Sequence, residues 1–284
     1  MKKEPSVAVI ILNWNDYDNT VGCLNSLKKS NYKNYKVVLV DNDSKNNEGK
    51  RLKKKFPYIH LIQNRINRGF AGGNNDGINW ALKKGFDYVW LLNNDTYILS
   101  DTLRKLIENS NDNSISSPII YYFDKKNKIW SAGIRFFMRF GLTFHLRKVK
   151  SKPDFFVACS LLIPKKLIND VGMLDEIYFV YLEDMDYCYR AKQKGYEMNL
   201  ITTSKIFHKV SSSTQNDLRK FFLKTSSLIY FMQKWNLNGF LFTIGFYFIY
   251  LPMEFRKYFY HPIEFCKILL KIKRKQHGVI LNGK

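Results

Sequence analysis

The chain of 284 residues is 45% hydrophobic and 16% aromatic, enough for one core of roughly 200 residues with an appendage, and its 46 Lys and Arg against 24 Asp and Glu leave a formal net charge of +22. Four scattered cysteines, Cys23, Cys159, Cys188 and Cys266, with no CxxC pair and no histidines at finger spacing, exclude a disulfide framework or structural zinc. The basic excess implies an anionic partner; nucleic acid, anionic lipid and a phosphorylated substrate all fit, because net charge reports on association and not on fold.

Met1 to Ser6 is short and charged, and the apolar run that follows ends at Leu12, so the start of the chain reads as a strand and not as a signal peptide. With no export signal, free thiols point to the cytosol. Val7 to Leu12, Lys36 to Val40, Tyr58 to Ile62 and Tyr88 to Leu92 are short runs rich in branched residues, the pattern of strands buried on both faces. Val21, Leu24 and Leu27 recur at helical spacing after the first, and Ile78, Ala81 and Leu82 after the third, with Gly85 as a helix stop. This βαβα alternation predicts an α/β fold, a mostly parallel sheet flanked by helices with its ligand crevice at the carboxyl ends of the strands.

From Ser114 to Arg147 the pattern blurs, with a turn-like Asp124 to Lys128 among aromatics and basic residues from Arg135 to Lys152; a β-rich insertion and an acceptor-side loop are expected. Phe155 to Ile163 is predicted as a returning strand and Pro164 to Gly172 as a short helix with its stop. Ser211 to Thr214 resembles a linker, so a boundary near residue 212 separates 1–212 from a largely helical, basic and aromatic region, 213–284.

Several segments carry residues suited to chemistry. Asp41-Asn42-Asp43-Ser44 ends the second strand, where a carboxylate accepts hydrogen bonds from a ribose hydroxyl or a base N–H; the same residue types also cap ordinary turns. Asn67 to Gly77 is a glycine-rich loop opening a helix, in which Gly69, Gly72 and Gly73 permit close backbone approach, while the helix N-terminus and Arg68 favour a diphosphate. It follows the third strand and is neither a GxGxxG after the first strand nor a Walker loop, which argues against a dinucleotide dehydrogenase, a P-loop ATPase and a nucleotidyltransferase. Asn93 and Asp95 leave the fourth strand with one residue between them, two hard oxygen donors expected to point the same way and suited to Mg²⁺ or Mn²⁺ unless they merely form a turn. Glu183, Asp184 and Asp186 open a helix; Asp186 and Arg190 make an ordinary i,i+4 ion pair, and one of the three carboxylates is suited to act as a general base. His208, at a strand-like end, is either a surface histidine or a further metal ligand.

In this order the segments VAVIILNWN, DNDS, NRGFAGGNNDGI, LLNNDT, CSLLIPKKLINDVGMLDEIYFVYLEDMDYCYRAKQKGY and FHKVSSST resemble the family 2 glycosyltransferases of the GT-A fold, particularly the rhamnosyltransferase-like branch. The resemblance implies that Asp41 binds the nucleotide base, with Asn13 and Asn15 lining the same pocket. Asp43 and the Gly69 to Asn74 segment would contact the ribose and donor sugar, and Asn94 the donor. Asn93 and Asp95 stand at the family's DxD position, with Asn93 in place of the first aspartate. Asp184 matches the catalytic base of the ED motif, and His208 falls at a further metal-ligand position. The implied reaction is an inverting transfer from a UDP- or dTDP-sugar to a hydroxyl of a lipid-linked or polysaccharide acceptor.

The tail is read separately. Gly239 to Leu251 is an uncharged apolar run whose helical length of about 20 Å falls short of a hydrocarbon core of about 30 Å. A buried helical hairpin and a membrane-surface or re-entrant helix both fit. From Glu254 to Lys284, basic residues alternate with aromatics in a pattern suited to anionic headgroups, implying peripheral attachment to the cytoplasmic face of the cell membrane. The rival class, a nucleic-acid binder, lacks any RRM, zinc-finger or OB signature.

Overall fold

The computed structural model describes residues 4–149, 152–209, 217–237, 239 and 245–252. In chain order the elements are β1 (Val7–Asn13), α1 (Tyr17–Lys28), β2 (Tyr35–Asp41), α2 (Glu48–Lys55), β3 (His60–Gln63), α3 (Gly69–Lys83), β4 (Tyr88–Leu92), β5 (Thr96–Ile98), α4 (Thr102–Glu108) and β6 (Ser114–Tyr122). They continue with β7 (Ile129–Ser131), β8 (Ile134–Phe137), β9 (Leu142–His145), β10 (Ser160–Pro164), α5 (Lys165–Val171), α6 (Glu183–Gln193), β11 (Glu197–His208) and α7 (Asp217–Lys234).

Among the described residues the main sheet has nine strands in the order β3-β2-β1-β4-β10-β6-β11-β5, with β7 paired to β6. The period of two in β1 sorts its residues into two cores. Val7, Val9 and Ile11 meet Cys23, Leu24 and Leu27 of α1 and Leu103 and Leu106 of α4 on one face. Ala8 and Ile10 meet Ala71, Ile78 and Ala81 of α3, together with residues of α5, α6 and α7, on the other. The sheet is thus covered on both sides, which is why these strands read as continuous apolar runs.

The expectation of a mostly parallel sheet needs correction beyond β4. The four strands β3, β2, β1 and β4 are parallel. β10 then enters antiparallel to both β4 and β6, and β5 pairs antiparallel to β11, so the sheet is mixed. The returning strand is also shorter than predicted: only Ser160 to Pro164 pairs with β4, pinned by the buried Trp90 indole N–H donating to Ser160 Oγ at 2.9 Å. Burial pushes the Cys23 and Cys188 thiols up to about 12, so these are inert packing residues.

α7 lies on the α3 side of the sheet, with Phe221, Phe231 and Met232 buried in that core. Its polar anchor is Asp186 of α6, a fully buried carboxylate. Asp186 pairs with Arg190 Nε at 2.9 Å, as the i,i+4 spacing predicts, and also with Lys234 Nζ at 2.7 Å and the Trp235 indole N–H at 3.0 Å. No helix among the described residues is long and apolar enough to cross a membrane. The basic stretch 254–284 and Cys266 lie outside the described residues.

Removing one partner of a buried ion pair leaves the other charges desolvated and unpaired. We expect Asp186→Ala to lower unfolding free energy by about 3 kcal/mol, read as a shift in the urea midpoint with unchanged slope.

Candidate active site

The carboxyl ends of β1, β2 and β4 meet along one edge, and their terminal residues are polar. Asn13 and Asp41 are register partners at the ends of β1 and β2, both fully buried. The Asn13 amide group donates to Asp41 Oδ1, Ser44 Oγ and Glu48 Oε2, each at 3.0 Å, and its own oxygen accepts from Thr20 Oγ1 at 2.7 Å. Asp41 Oδ2 is buried with no hydrogen-bond partner among the described residues, an acceptor that a ligand N–H would satisfy. The turns after β1 and β2 are joined: the Asn15 N–H donates to Ser44 Oγ at 3.0 Å, and the Lys45 N–H to Asn15 Oδ1 at 2.7 Å. Asn15 and Asp43 hold left-handed φ values of 52° and 68°, a region asparagine and aspartate tolerate better than most residues.

Thr20 carries this network toward β4, because the Asn94 amide donates to Thr20 Oγ1 at 3.0 Å and to Asp16 Oδ2 at 3.2 Å. The extended-segment argument for Asn93 and Asp95 does not hold. Both the Thr96 N–H and its hydroxyl return to the Asn93 carbonyl, at 3.3 and 2.6 Å, so residues 93–96 form a tight turn. Asp95 instead meets His208: β11 pairs antiparallel with β5, His208 opposite Thr96, and the imidazole Nε2 stands 3.1 Å from the Asp95 carboxylate. His208 Nδ1 is buried without a hydrogen-bond partner among the described residues, and the Trp130 ring packs edge-on against the imidazole with centroids 4.6 Å apart.

Asp184, at the start of α6, accepts from the Ala158 N–H at 2.9 Å and the Met185 N–H at 2.8 Å. The next residue, Cys159, accepts from the Asn93 N–H at 3.0 Å, so two consecutive residues tie the β4 turn to Asp184. Burial pushes the Asp184 carboxyl above the usual carboxylate range, against the pull of those N–H donors. Burial, and then the adjacent Asp184 charge, push Glu183 well above it. Immediately before them the backbone inverts, with Tyr181 at φ 71° and Leu182 at φ 65°. Two bulky residues in the left-handed region are strained, and such strain gathers at functional sites.

The glycine-rich segment is placed differently from its expectation. α3 already begins at Gly69, so Gly72, Gly73 and Asn74 are helical and not part of a ligand loop. A Cβ on Gly73 would strike Leu12, and one on Gly77 would stand 2.6 Å from Ile10 Cγ2, so these positions serve the close approach of α3 to β1. The Asn74 amide donates inside the helix to the Phe70 carbonyl at 2.9 Å. Arg68, expected at a diphosphate, pairs with Asp76 and, at 2.9 Å, with Glu176. The helix start is held by Asn42, whose buried side chain donates to Asn67 Oδ1 and the Gly69 carbonyl at 2.9 Å and accepts from the Arg68 N–H at 3.1 Å.

The structure links Asn13, Asn15, Asp41 and Asn94 in one network, pairs Asp95 with His208, ties Asp184 to the β4 turn through Ala158 and Cys159, leaves Asp43 exposed, places Gly72, Gly73 and Asn74 inside α3 and pairs Arg68 with Asp76 and Glu176. The roles of Asp16, Thr20, Asn42 and the Tyr181–Leu182 inversion escaped the sequence reading. Asp16 follows the noted Asn15 and Asn42 lies inside the noted Asp41–Ser44 segment, but nothing in their spacing marks what they hold.

For a hard divalent cation the nearest donors are the buried Asp95 carboxylate and the His208 imidazole. Among the described residues no group of three His, Cys, Asp or Glu converges, so such an ion would fit only with ligands supplied by a bound substrate.

Comparison with known proteins agrees with this architecture. Residues 8–172 match the family model for glycosyl transferase family 2, more than half of the chain. A low-salt glycan biosynthesis hexosyltransferase, Agl10 of Haloferax volcanii, is 31% identical over 145 residues, 48% of this chain and 47% of that protein. The dTDP-rhamnosyl transferase RfbF of Shigella flexneri is 24% identical over 217 residues, 74% and 71% of the two chains. Among solved structures, GalNAc-T7 with UDP, GalNAc and Mn²⁺ superposes with a TM-score of 0.66 at 13% identity, over 82% of this chain and 48% of that one. The mannosyltransferase PcManGT of Pyrobaculum calidifontis, with GDP-Man and Mn²⁺, gives 0.60 at 16% identity over 99% and 77%. The chain thus spans about half the length of Agl10 and of GalNAc-T7, and these solved structures share its mixed α/β fold. By the extent of the family match, on a scaffold that places polar residues at its strands' carboxyl ends, this chain belongs to glycosyl transferase family 2.

Proposed function

We propose that the protein is an inverting glycosyltransferase that moves a sugar from a nucleoside-diphosphate donor to a hydroxyl of a lipid-linked or polysaccharide acceptor in cell-surface glycan synthesis. The observation that supports this reading is that the Ala158 N–H donates to Asp184 while the carbonyl of the next residue, Cys159, accepts from Asn93, which ties the proposed base to the turn that carries Asp95 and its partner His208. The dTDP-rhamnosyl transferase and the hexosyltransferase among its relatives make dTDP-rhamnose and UDP-hexoses the donors to test first.

In this reading Asp41, held by Asn13, accepts from the nucleotide base through its unpartnered Oδ2, and Asn15, Asp43, Gly69 and Asn94 contact the ribose or sugar. Asp95 and His208, with Asn93 beside them, would hold Mg²⁺ or Mn²⁺ together with the donor diphosphate. When bound, that ion supplies charge neutralisation for the leaving group. Asp184 takes the proton of the acceptor hydroxyl, whose oxygen attacks the anomeric carbon from the face opposite the departing diphosphate. The Ala158 and Met185 N–H groups aim the carboxylate while burial keeps it basic enough to accept the proton. Bilayer attachment at the cytoplasmic face, through the basic region 213–284, would bring a lipid-linked acceptor to this edge.

A panel of UDP-glucose, UDP-galactose, UDP-N-acetylglucosamine and dTDP-rhamnose with Mn²⁺ or Mg²⁺ tests the reading. Nucleoside diphosphate is expected from one donor, with release lost on adding EDTA and in Asp95→Ala. Absence of any UDP or dTDP binding by calorimetry would end it. Asp184→Asn should lower single-turnover rate by at least about 10²-fold with the nucleotide Kd unchanged.

Because burial disfavours the charged form, the active carboxylate accumulates only above its raised pKa. The acid limb of kcat is therefore expected above the ordinary aspartate value of about 3.9, falling tenfold per pH unit below it. A limb at or below that value would contradict the assignment of Asp184.

A further inference from the structure

One edge of the molecule carries apolar side chains that the donor site does not use. β8 and β9 form a separate two-stranded hairpin, with Ile134 opposite His145 at its root and Phe137 opposite Leu142 at its tip. At the tip Phe137 is 51% exposed, Met138 38% and Phe144 48%, and Phe137 and Phe144 pack edge to face with centroids 5.6 Å apart. The helical turn at residues 245–250 abuts this tip: Gly245 lies so close to Phe140 that an added Cβ would stand 2.7 Å from its carbonyl oxygen. Phe246 and Tyr250 of that turn are buried, whereas Phe248 is 76% and Ile249 37% exposed. Single exposed apolar residues are ordinary, but five on two abutting elements form a patch.

The charge within the hairpin segment itself has one sign, and the nearby Asp154 is paired with Arg135. No Asp or Glu occurs from Ile134 to Pro153, and Arg139, Arg147, Lys148 and Lys152 in that stretch are all exposed. An aromatic tip with cations beside it that have no acidic partner among the described residues matches the boundary of an anionic bilayer, where apolar groups enter the acyl region and cations meet phosphates. The hairpin root also touches the site, since the Trp130 ring lies 4.7 Å from His145 and 4.6 Å from His208, centroid to centroid. The tip is three residues farther along β9, on the order of 10 Å at the usual strand rise.

We propose that the β8–β9 tip and the 245–250 turn together form a docking surface for an anionic lipid bilayer. Phe137, Met138, Phe144, Phe248 and Ile249 enter the interface, and Arg139, Arg147 and Lys148 face the headgroup phosphates. The assignment rests on the peripheral-attachment reading above and names the contact; nucleotide binding is independent of it.

Cosedimentation of the full chain with vesicles of mixed phosphatidylglycerol and phosphatidylcholine, against phosphatidylcholine alone, tests it. Binding is expected to the anionic vesicles and to be at least about tenfold weaker on neutral ones and at high salt. Phe137→Asp with Phe144→Asp should weaken it at least about tenfold, with UDP or dTDP binding and thermal unfolding unchanged. Phe248→Asp, on the second element, should weaken it independently, so a folding defect in the hairpin variant does not decide the matter. Wild-type protein that stays in the supernatant, equal pelleting on neutral vesicles, or folded variants that pellet like wild type would overturn the proposal. Loss of nucleotide binding in the wild type would instead strike the glycosyltransferase reading and leave the docking surface standing.

Discussion

The antiparallel ladder between β11 and β5 fixes where Asp95 and His208 meet. It sets His208 opposite Thr96, and so brings an imidazole to 3.1 Å from a carboxylate 113 residues earlier in the chain. That register depends on an irregularity farther back. β11 pairs with β6 in parallel, Ile201 opposite Pro118 and then Lys205 opposite Ile119, so three extra residues bulge out where Pro118 has no N–H to donate. Ser204 and Thr102 close the bulge, the Ser204 hydroxyl donating to the Thr102 carbonyl at 2.9 Å and the Thr102 hydroxyl to the Lys205 carbonyl at 2.8 Å. An odd insertion moves a strand's side chains to the other face, so without the bulge His208 would present its ring on the wrong side of the sheet.

A second constraint is the cost of burying polar groups. Asp41, Asn13, Thr20 and Asn94 form one chain of hydrogen bonds running from the end of β2 to the turn after β4. Each member satisfies its neighbour, which lets Asn13 and Asp41 be fully buried at a strand edge where water would otherwise solvate them. The price of that rigidity is one carboxylate oxygen, Asp41 Oδ2, left without a partner. The network holds the ends of β1 and β2 and the turn after β4 together, and it leaves the unsatisfied acceptor at the end proposed to meet the base.

Much of this was legible in the residues. The apolar runs of β1, β2 and β4 and the helix ending before Gly85 follow from period and turn chemistry, and the ordered motifs carry the family resemblance. Local pattern failed wherever long-range pairing decided the outcome. Ser160 to Pro164 runs antiparallel because of which strands it lies between, information absent from its own residues. The glycines of Gly69 to Gly77 read as a loop because loop and helix-packing glycines look alike in one dimension; Ile10 and Leu12 of β1, some 60 residues earlier in the chain, decide between them. Asn93 and Asp95 were read on strand geometry, but the chain turns there. Asp16 and Asn42 acquire roles only through partners that the fold brings to them.

The three carboxylates at the start of α6 show how one helical turn can divide its tasks. At about 100° per residue Asp184 and Asp186 point to opposite sides of the helix, and the three carboxylates have different partners. Glu183 goes into the interior, where burial and the Asp184 charge favour its protonated form. Asp184 turns toward Ala158 and the strand ends. Asp186 points the opposite way, to Lys234 and Trp235 at the end of α7. The helix that carries the proposed base is therefore gripped from behind by a helix that comes after the family match. α6 begins from an inversion at Tyr181 and Leu182 and is held on its other side by the Asp186–Lys234 pair, so α7 is part of what fixes the helix that carries Asp184.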